Sequence, residues 1–395
     1  MTDPASSSSV LLLNRDVLLS GGVARALLTY VRHHDQRRIR LTLACFQRPA
    51  ASDAAEFGLA GTPVNHLGEA YAASSWRLRA LLRRQRVDVI VCNSFKSFLV
   101  AKIASLGLRC RLVFWLHGGT LVVRGPVRGL LFRSLARSDT IVCVSEAVRR
   151  AHGLERHAGT LVIHHGIEDV PAPPTAPSAR TAARAALGFE PEDVVIGYVA
   201  SLTAVKDHET LLHAFAAALR RDPRLRLVLI GDGPLLPQLR ALAATLGCAR
   251  RTHFLGTRTD VRALFDLMDL YVHPGRQEGF GLAVAEALLA GLPVITSDDG
   301  ALPEYVLHGT TGMTFPVGNA RALAEALSHL ADDPALAAAL AREGQAQVRV
   351  RFSVQRFASR LTAAILEGRD DHEPHRAAHA AARVASAPHR LDGNA

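Results

Sequence analysis

Aromatic side chains are scarce, with Phe, Trp and Tyr making up 5% of the 395 residues. A surface that stacks the bases of single-stranded nucleic acid needs such rings, so that class of partner is disfavoured. Cysteine is sparse too. Cys45, Cys92, Cys110, Cys143 and Cys248 contain no C-x-x-C pair. Their scatter predicts a reducing compartment and argues against a structural zinc. Long uncharged hydrophobic runs are missing; the best, Phe280 to Thr296, is interrupted by Glu286. A membrane-spanning helix needs about 20 apolar residues, so none is predicted. The start, Met1-Thr-Asp-Pro-Ala-Ser6, lacks the basic opening of a signal peptide. These absences predict a soluble, cytoplasmic protein.

Lysine is confined to Lys96, Lys102 and Lys206, so nearly all positive charge is arginine. The formal net charge is +10, and it is unevenly placed. Residues 1–172 hold 23 Lys+Arg against 12 Asp+Glu, which leaves 23 against 24 for the remainder. The first half is therefore at +11 and the second at −1. Such asymmetry suits an anionic partner for the first half; an arginine-rich genome would give the same excess. The segment Trp76 to Arg86 concentrates it. Leu78, Leu81 and Leu82 share one helical face, with Arg77, Arg79, Arg83, Arg84 and Arg86 around the rest. That pattern reads as a crossover helix with a solvated face. Its sharper reading is contact with anionic lipid at the inner face of the membrane.

Short apolar runs alternate with helical patterns along most of the chain. Strands are predicted at Val10–Asn14, Ile39–Phe46, Val87–Cys92, Arg111–Leu116, Thr140–Val144 and Leu161–His164. Four prolines between Val170 and Ser178 mark a linker. A second series follows at Val194–Ala200, Leu225–Ile230, His253–Leu255, Leu270–His273, Val294–Ser297 and Gly312–Phe315. Two α/β units with doubly wound parallel sheets are predicted, over 1–172 and 173–351. The tail, 369–395, is Ala-, His- and Arg-rich without periodicity and reads as disordered.

The most informative stretch runs from Tyr271 to Glu304. It reads as strand, tight loop, helix and strand. The loop carries Glu278, because Gly279-Phe280-Gly281 is too glycine-rich to be helical. The helix can start near Gly281, and Gly291-Leu292-Pro293 stops it. Glu286 then lies about one turn inside. Glycine backbone amides at a helix start suit an anion, and acidic side chains beside them suit sugar hydroxyls. The pattern points to a phosphate joined to a polyol.

Glu278, seven residues and Glu286, with Gly-Phe-Gly between, resembles the signature of the retaining GT-B glycosyltransferases of family 4. His273-Pro274 before it and Thr296 to Glu304 after it agree with that family. The resemblance covers roughly residues 10 to 367 and is stronger in the second half. It implies a GT-B fold, two Rossmann-like doubly wound domains facing across a cleft, with a return helix over 352–367 packed on the first domain. It implies transfer of a sugar from a nucleotide diphosphate sugar, with retention and without a metal or other cofactor. The acceptor would be a glycan or a lipid-linked molecule, as in cell-surface polysaccharide or glycolipid biosynthesis.

Roles carry over residue by residue. Lys206 meets the donor diphosphate and Glu278 orients the donor sugar. Glu286 holds the ribose, and His117, at the end of Arg111–Leu116 before Gly118-Gly119, reaches the sugar from the other domain. Ser20-Gly21-Gly22-Val23 faces the donor across the cleft. The backbone of Gly279, Phe280, Gly281 and Leu282 completes the donor site. Ser201 stands where the family usually has an arginine, so one phosphate-binding charge is missing. Arg276 or Arg258 is a candidate to replace it. The segments Val144 to Val148 and His165 to Glu168 resemble family landmarks that shape the cleft wall.

Two rivals are weaker. A dinucleotide-dependent oxidoreductase needs Gly-x-Gly-x-x-Gly, and Gly231-Asp232-Gly233 is followed by Leu236 at the third glycine position. A non-catalytic sugar- or lipid-binding protein of the same fold would have no need of Lys206, Glu278, Glu286 and His117 together.

Overall fold

Strands that are apolar on both faces need helices on either side of their sheet. The computed structural model describes residues 7–19, 21–118, 140–169 and 177–368, and contains this arrangement twice. The first sheet holds β1 (Ser8–Asn14), β2 (Ile39–Cys45), β3 (Val64–His66), β4 (Val89–Cys92), β5 (Arg111–Leu116), β6 (Thr140–Cys143) and β7 (Thr160–Val162). Its order is β3-β2-β1-β4-β5-β6-β7. The second holds β8 (Val194–Val199), β9 (Leu225–Ile230), β10 (Thr252–Phe254), β11 (Leu270–His273), β12 (Val294–Ser297) and β13 (Met313–Phe315). Its order is β10-β9-β8-β11-β12-β13. The pairings within both sheets are parallel.

In both sheets the order reverses beside the first strand, between β1 and β4 and between β8 and β11. Parallel sheets bind ligands at the carboxyl ends of strands at such a reversal. Gly21 and Gly22 follow β1, Lys206 follows β8 and Glu278 follows β11, all beside these reversals, whereas His117 follows β5, one strand beyond β4.

The helix Val354–Glu367 packs on the first sheet's side of the molecule. Tyr30 Oη and Thr362 Oγ1 lie 3.0 Å apart, and Arg111 donates to the Ile365 carbonyl at 2.9 Å. The crossing point is fixed where Ile167 N–H donates to the Phe352 carbonyl at 2.8 Å. Tyr30, Trp115 and Phe357 form an aromatic cluster beneath it, with ring centroids about 6 Å apart as such pairs prefer.

Three expectations change. Strand β3 lies outside the predicted set; Val64-Asn65-His66 is short, mostly polar and pairs only with β2 at the sheet edge. The linker ends earlier than predicted. Pro177 and Ser178 begin a helix, Pro177–Ala186, with proline at a position where its missing N–H costs nothing. The rest of the linker (170–176), Ser20, Gly119 and the tail 369–395 lie outside the described residues. The arginine face of the helix Tyr71–Gln85 is smaller than expected. Arg77 donates to the Leu67 carbonyl at 2.7 Å, and Arg79 donates to those of Ala104 and Leu106 at 2.8 and 2.7 Å. Arg83, Arg84 and Arg86 stay exposed beside Trp76, which is 78% exposed.

Candidate functional site

Lys206 and Glu278 come together although 72 residues separate them. Lys206 Nζ donates to Glu278 Oε2 at 2.6 Å, and His273 Nε2 donates to the same oxygen at 3.1 Å. The pair is largely enclosed, with side chains 22% and 15% exposed. Burial alone would raise the Glu278 carboxyl, but Lys206 and His273 outweigh it and hold it well below the usual carboxylate range. Glu278 is therefore ionised and ready to accept hydroxyl hydrogen bonds. Its backbone is held from β12's loop, where Ala301 N–H donates to the Glu278 carbonyl at 2.9 Å.

The helix Leu282–Leu289 begins after Gly281, which has φ +86°, a left-handed conformation that glycine adopts freely. Tyr305 Oη donates to the Phe280 and Gly281 carbonyls at 2.7 and 3.1 Å and fixes this turn. Gly279 is a close-approach glycine. A Cβ there would lie 2.0 Å from the His117 carbonyl oxygen. The motif loop thus abuts the opposite half of the molecule directly. Gly22 faces Leu282 across the same gap, where a Cβ would stand 3.3 Å from its Cδ1. Phe280 is buried between the halves, against His164, His165, Tyr305 and Phe352. In this arrangement its ring packs the interface.

Glu286 meets a residue that the sequence does not single out. Arg25, on the helix Gly22–His33, forms an ion pair with both Glu286 oxygens across the cleft. Burial raises the Glu286 carboxyl despite that arginine. Glu304 makes a second bridge between the halves. It accepts from Glu146 N–H at 3.2 Å, Ala147 N–H at 2.7 Å and His164 Nε2 at 3.1 Å. Burial opposes its charge, yet His164 and the two amides keep it below its ordinary value. The sequence marks Glu304 and Glu146 as landmarks without this contact.

His117 Nε2 donates to Asn93 Oδ1 at 2.8 Å. Nδ1 is then an acceptor, facing His165 Nε2 at 3.4 Å, with the rings stacked at 5.2 Å. Burial and the neighbouring His165 push His117 well below an ordinary histidine, so it is neutral. A neutral ring can hydrogen-bond a sugar hydroxyl only by exchanging one of these partners. Sequence reasoning misses Asn93; its place just after β4, at the sheet reversal, is the signal that could have found it.

Ser201 is exposed, and its Oγ lies 3.5 Å from Thr203 Oγ1. Of the two possible replacements for the missing arginine, Arg258 pairs with Asp260 at 2.6 Å on the surface. Arg276 pairs with Asp207, next to Lys206, at 2.8 Å.

Buried neutral histidines near the site give an expected acid response. Burial lowers His165 to about 3, aided by His164, and lowers His208 to about 4, aided by His273 and Lys206. Both folded values lie below the unfolded ~6.5, so the unfolded state binds more protons as pH falls. Stability should be full above pH ~7 and decline below it, by about 2 kcal/mol for each histidine at pH ~5. Urea unfolding at the two pH values checks this, and His208→Gln should remove its share of the loss.

Two family models match the chain. One described as Glycosyltransferase Family 4 covers residues 20–169, and one described as Glycosyl transferases group 1 covers residues 179–347. The D-inositol 3-phosphate glycosyltransferase of Rhodococcus opacus (strain B4) is 34% identical over 218 residues, 51% of this chain and 49% of that protein. The lipopolysaccharide core biosynthesis mannosyltransferase LpsB of Rhizobium meliloti (strain 1021) is 32% identical over 213 residues, 52% of this chain and 60% of that one. The match thus spans about half of the first relative's length and somewhat more of the second's. Among solved structures, Anabaena Alr3699/HepE in complex with UDP-glucose superposes with a TM-score of 0.78 at 24% identity. That superposition covers 91% of this chain and 99% of the other. One family model falls on each of the two sheets, and the fold is shared over almost the whole chain: this protein belongs to the family 4, group 1 glycosyltransferases and has their GT-B architecture.

Proposed function

We propose that this glycosyltransferase moves a sugar from a nucleotide diphosphate sugar, with retention and without a metal, to a glycan or lipid-linked acceptor. The observation that carries the reading is the Lys206–Glu278 pair at the sheet reversal. In the free protein each charge satisfies the other. A donor replaces both halves: its diphosphate takes Lys206 and its sugar hydroxyls take Glu278. As the glycosidic bond breaks, charge grows on the leaving diphosphate. Lys206 and nearby backbone amides stabilise it, while the anomeric carbon becomes oxocarbenium-like. Glu286 holds the ribose once it exchanges Arg25 for the two ribose hydroxyls.

A panel of UDP-, GDP- and ADP-sugars tests this, read as released nucleoside diphosphate. UDP-glucose heads the panel because the HepE structures contain UDP and UDP-glucose. Release with at least one donor is expected, with an α-linked product and no loss in EDTA. No release with any donor overturns the reading, and a β-linked product overturns retention.

The basic first half supports a lipid-linked acceptor at an anionic membrane, the narrower part of this proposal. Trp76, Arg83, Arg84 and Arg86 present the exposed surface, with Ile103 and Leu106 on the neighbouring helix end. Each exposed arginine contributes about 1 kcal/mol at such a surface. Co-sedimentation with anionic liposomes is expected at low salt and should fall as salt rises, since screening acts over ~10 Å at 0.1 M. Replacing Arg83, Arg84 and Arg86 by Gln should abolish it. Failure of the wild type to bind favours a soluble acceptor.

A further inference from the structure

Lys206 lies between two points at which one arginine grips its loop. Arg276 N–H donates to the Val205 carbonyl at 2.7 Å. The Arg276 side chain closes on Asp207 Oδ2, with Nε at 2.9 Å and Nη2 at 2.8 Å. Asp207 is 8% exposed and has φ +49°, in the left-handed region. On the other loop, Gln277, between Arg276 and Glu278, is also left-handed at φ +53°. Its N–H donates to Asp299 Oδ2 at 2.9 Å. Arg86, Asp207 and Gln277 are the non-glycine residues with positive φ among the described residues. Two of these three therefore flank the Lys206–Glu278 pair, one on each loop. A non-glycine residue in this conformation persists only where its surroundings hold it. Asp207 is held by Arg276, by the Ala204 carbonyl that accepts its N–H at 3.2 Å, and by capping the helix His208–Leu219.

We propose that Arg276 is a positioning residue: it holds Asp207 in its left-handed turn and so keeps Lys206 in register with Glu278. It does not itself replace the charge missing at Ser201. The inference rests on the donor reading above. The guanidinium already spends Nε and Nη2 on one carboxylate oxygen, while the backbone N–H of Arg276 ties the loops together at a second point that Arg276→Gln keeps. A planar fork suits this task better than a lysine's point charge. A glycine in place of Asp207 would adopt the same backbone without strain and would leave no buried carboxylate needing a partner.

The test compares Arg276→Gln, Arg276→Gln with Asp207→Gly, and Arg276→Gln with Ser201→Arg. Isothermal titration uses UDP, GDP and ADP, with UMP as the control for the nucleoside part, and turnover is followed with the active donor. Arg276→Gln should lower kcat/KM about tenfold or more, since small displacements at a reacting centre cost up to ~100-fold. Affinity for the diphosphate should fall while that for the monophosphate changes little. Adding Asp207→Gly should restore most of the loss, and adding Ser201→Arg should not. Rescue by Ser201→Arg alone would show a direct phosphate contact and overturn the proposal. So would full activity of Arg276→Gln, or a double variant with Asp207→Gly that is as weak as the single one. Should Arg276→Gln alone fail to fold, the double variant with Asp207→Gly carries the same decision. A wild type that binds none of the three diphosphates instead refutes the donor reading.

Discussion

Glu278→Gln should lower turnover about 100-fold while the fold and the affinity for nucleoside diphosphate persist. Glutamine has the same shape but no charge, and its amide offers a single carbonyl oxygen where the carboxylate offers two. Glu278 Oε2 now accepts from both Lys206 and His273. The neutral side chain cannot draw sugar hydroxyls as strongly, so the donor sugar loses its orientation at the reacting carbon. Misplacement of this kind commonly costs ~100-fold. The diphosphate should bind as before or more tightly, because Lys206 no longer has a carboxylate to leave. A variant that keeps more than about a tenth of wild-type turnover would contradict the role.

Lys206→Ala is expected to act on both binding and stability. Removing a preorganised group that stabilises a leaving charge costs about 10²–10³ in turnover. Diphosphate affinity should fall with it, and unchanged affinity by calorimetry would refute the phosphate assignment. The same change strips Glu278 of its principal counter-charge. Breaking a fully buried pair from one side costs about 3–5 kcal/mol. Here about 2–3 kcal/mol is expected, since Lys206 is 22% exposed and His273 remains on the carboxylate. The Glu278 carboxyl should rise, because burial still raises it while its largest opposing charge is gone and only His273 continues to lower it. Wild-type Glu278 contributes stability that is present at neutral pH and is lost as pH falls through its depressed folded value. In Lys206→Ala that contribution should shrink at neutral pH. Unfolding free energies of the two proteins at pH ~7 and at acid pH should therefore converge as the carboxylate protonates. A constant gap would show that the pair carries no such linkage.

Much of this was written locally. Unbroken apolar runs such as Val10-Leu-Leu-Leu13 read as strands buried on both faces, and their alternation with helical patterns points to parallel sheets. Gly279 and Gly281 kept Glu278 out of the helix, and the helix does start at Leu282. The placement of Lys206 after β8 followed from the same reading. What the tertiary structure decided is what faces what. Arg25 and Glu286 are 261 residues apart, and nothing in either neighbourhood specifies the other. Glu304 reads locally only as the end of a family-like stretch, yet it bonds the amides at the start of Glu146–Ala151. Phe280 reads as part of a ligand loop, but its ring fills the space between the halves. Arg77 and Arg79 read as solvated charge until the folded chain supplies the carbonyls they bond. Backbone periodicity is a property of neighbours in sequence, so the sequence by itself determined the strands, helices and motif loops. Ion pairs and close contacts depend on distance in space, which the return of Val354–Glu367 onto the first sheet and the meeting of Gly279 with His117 set only after folding.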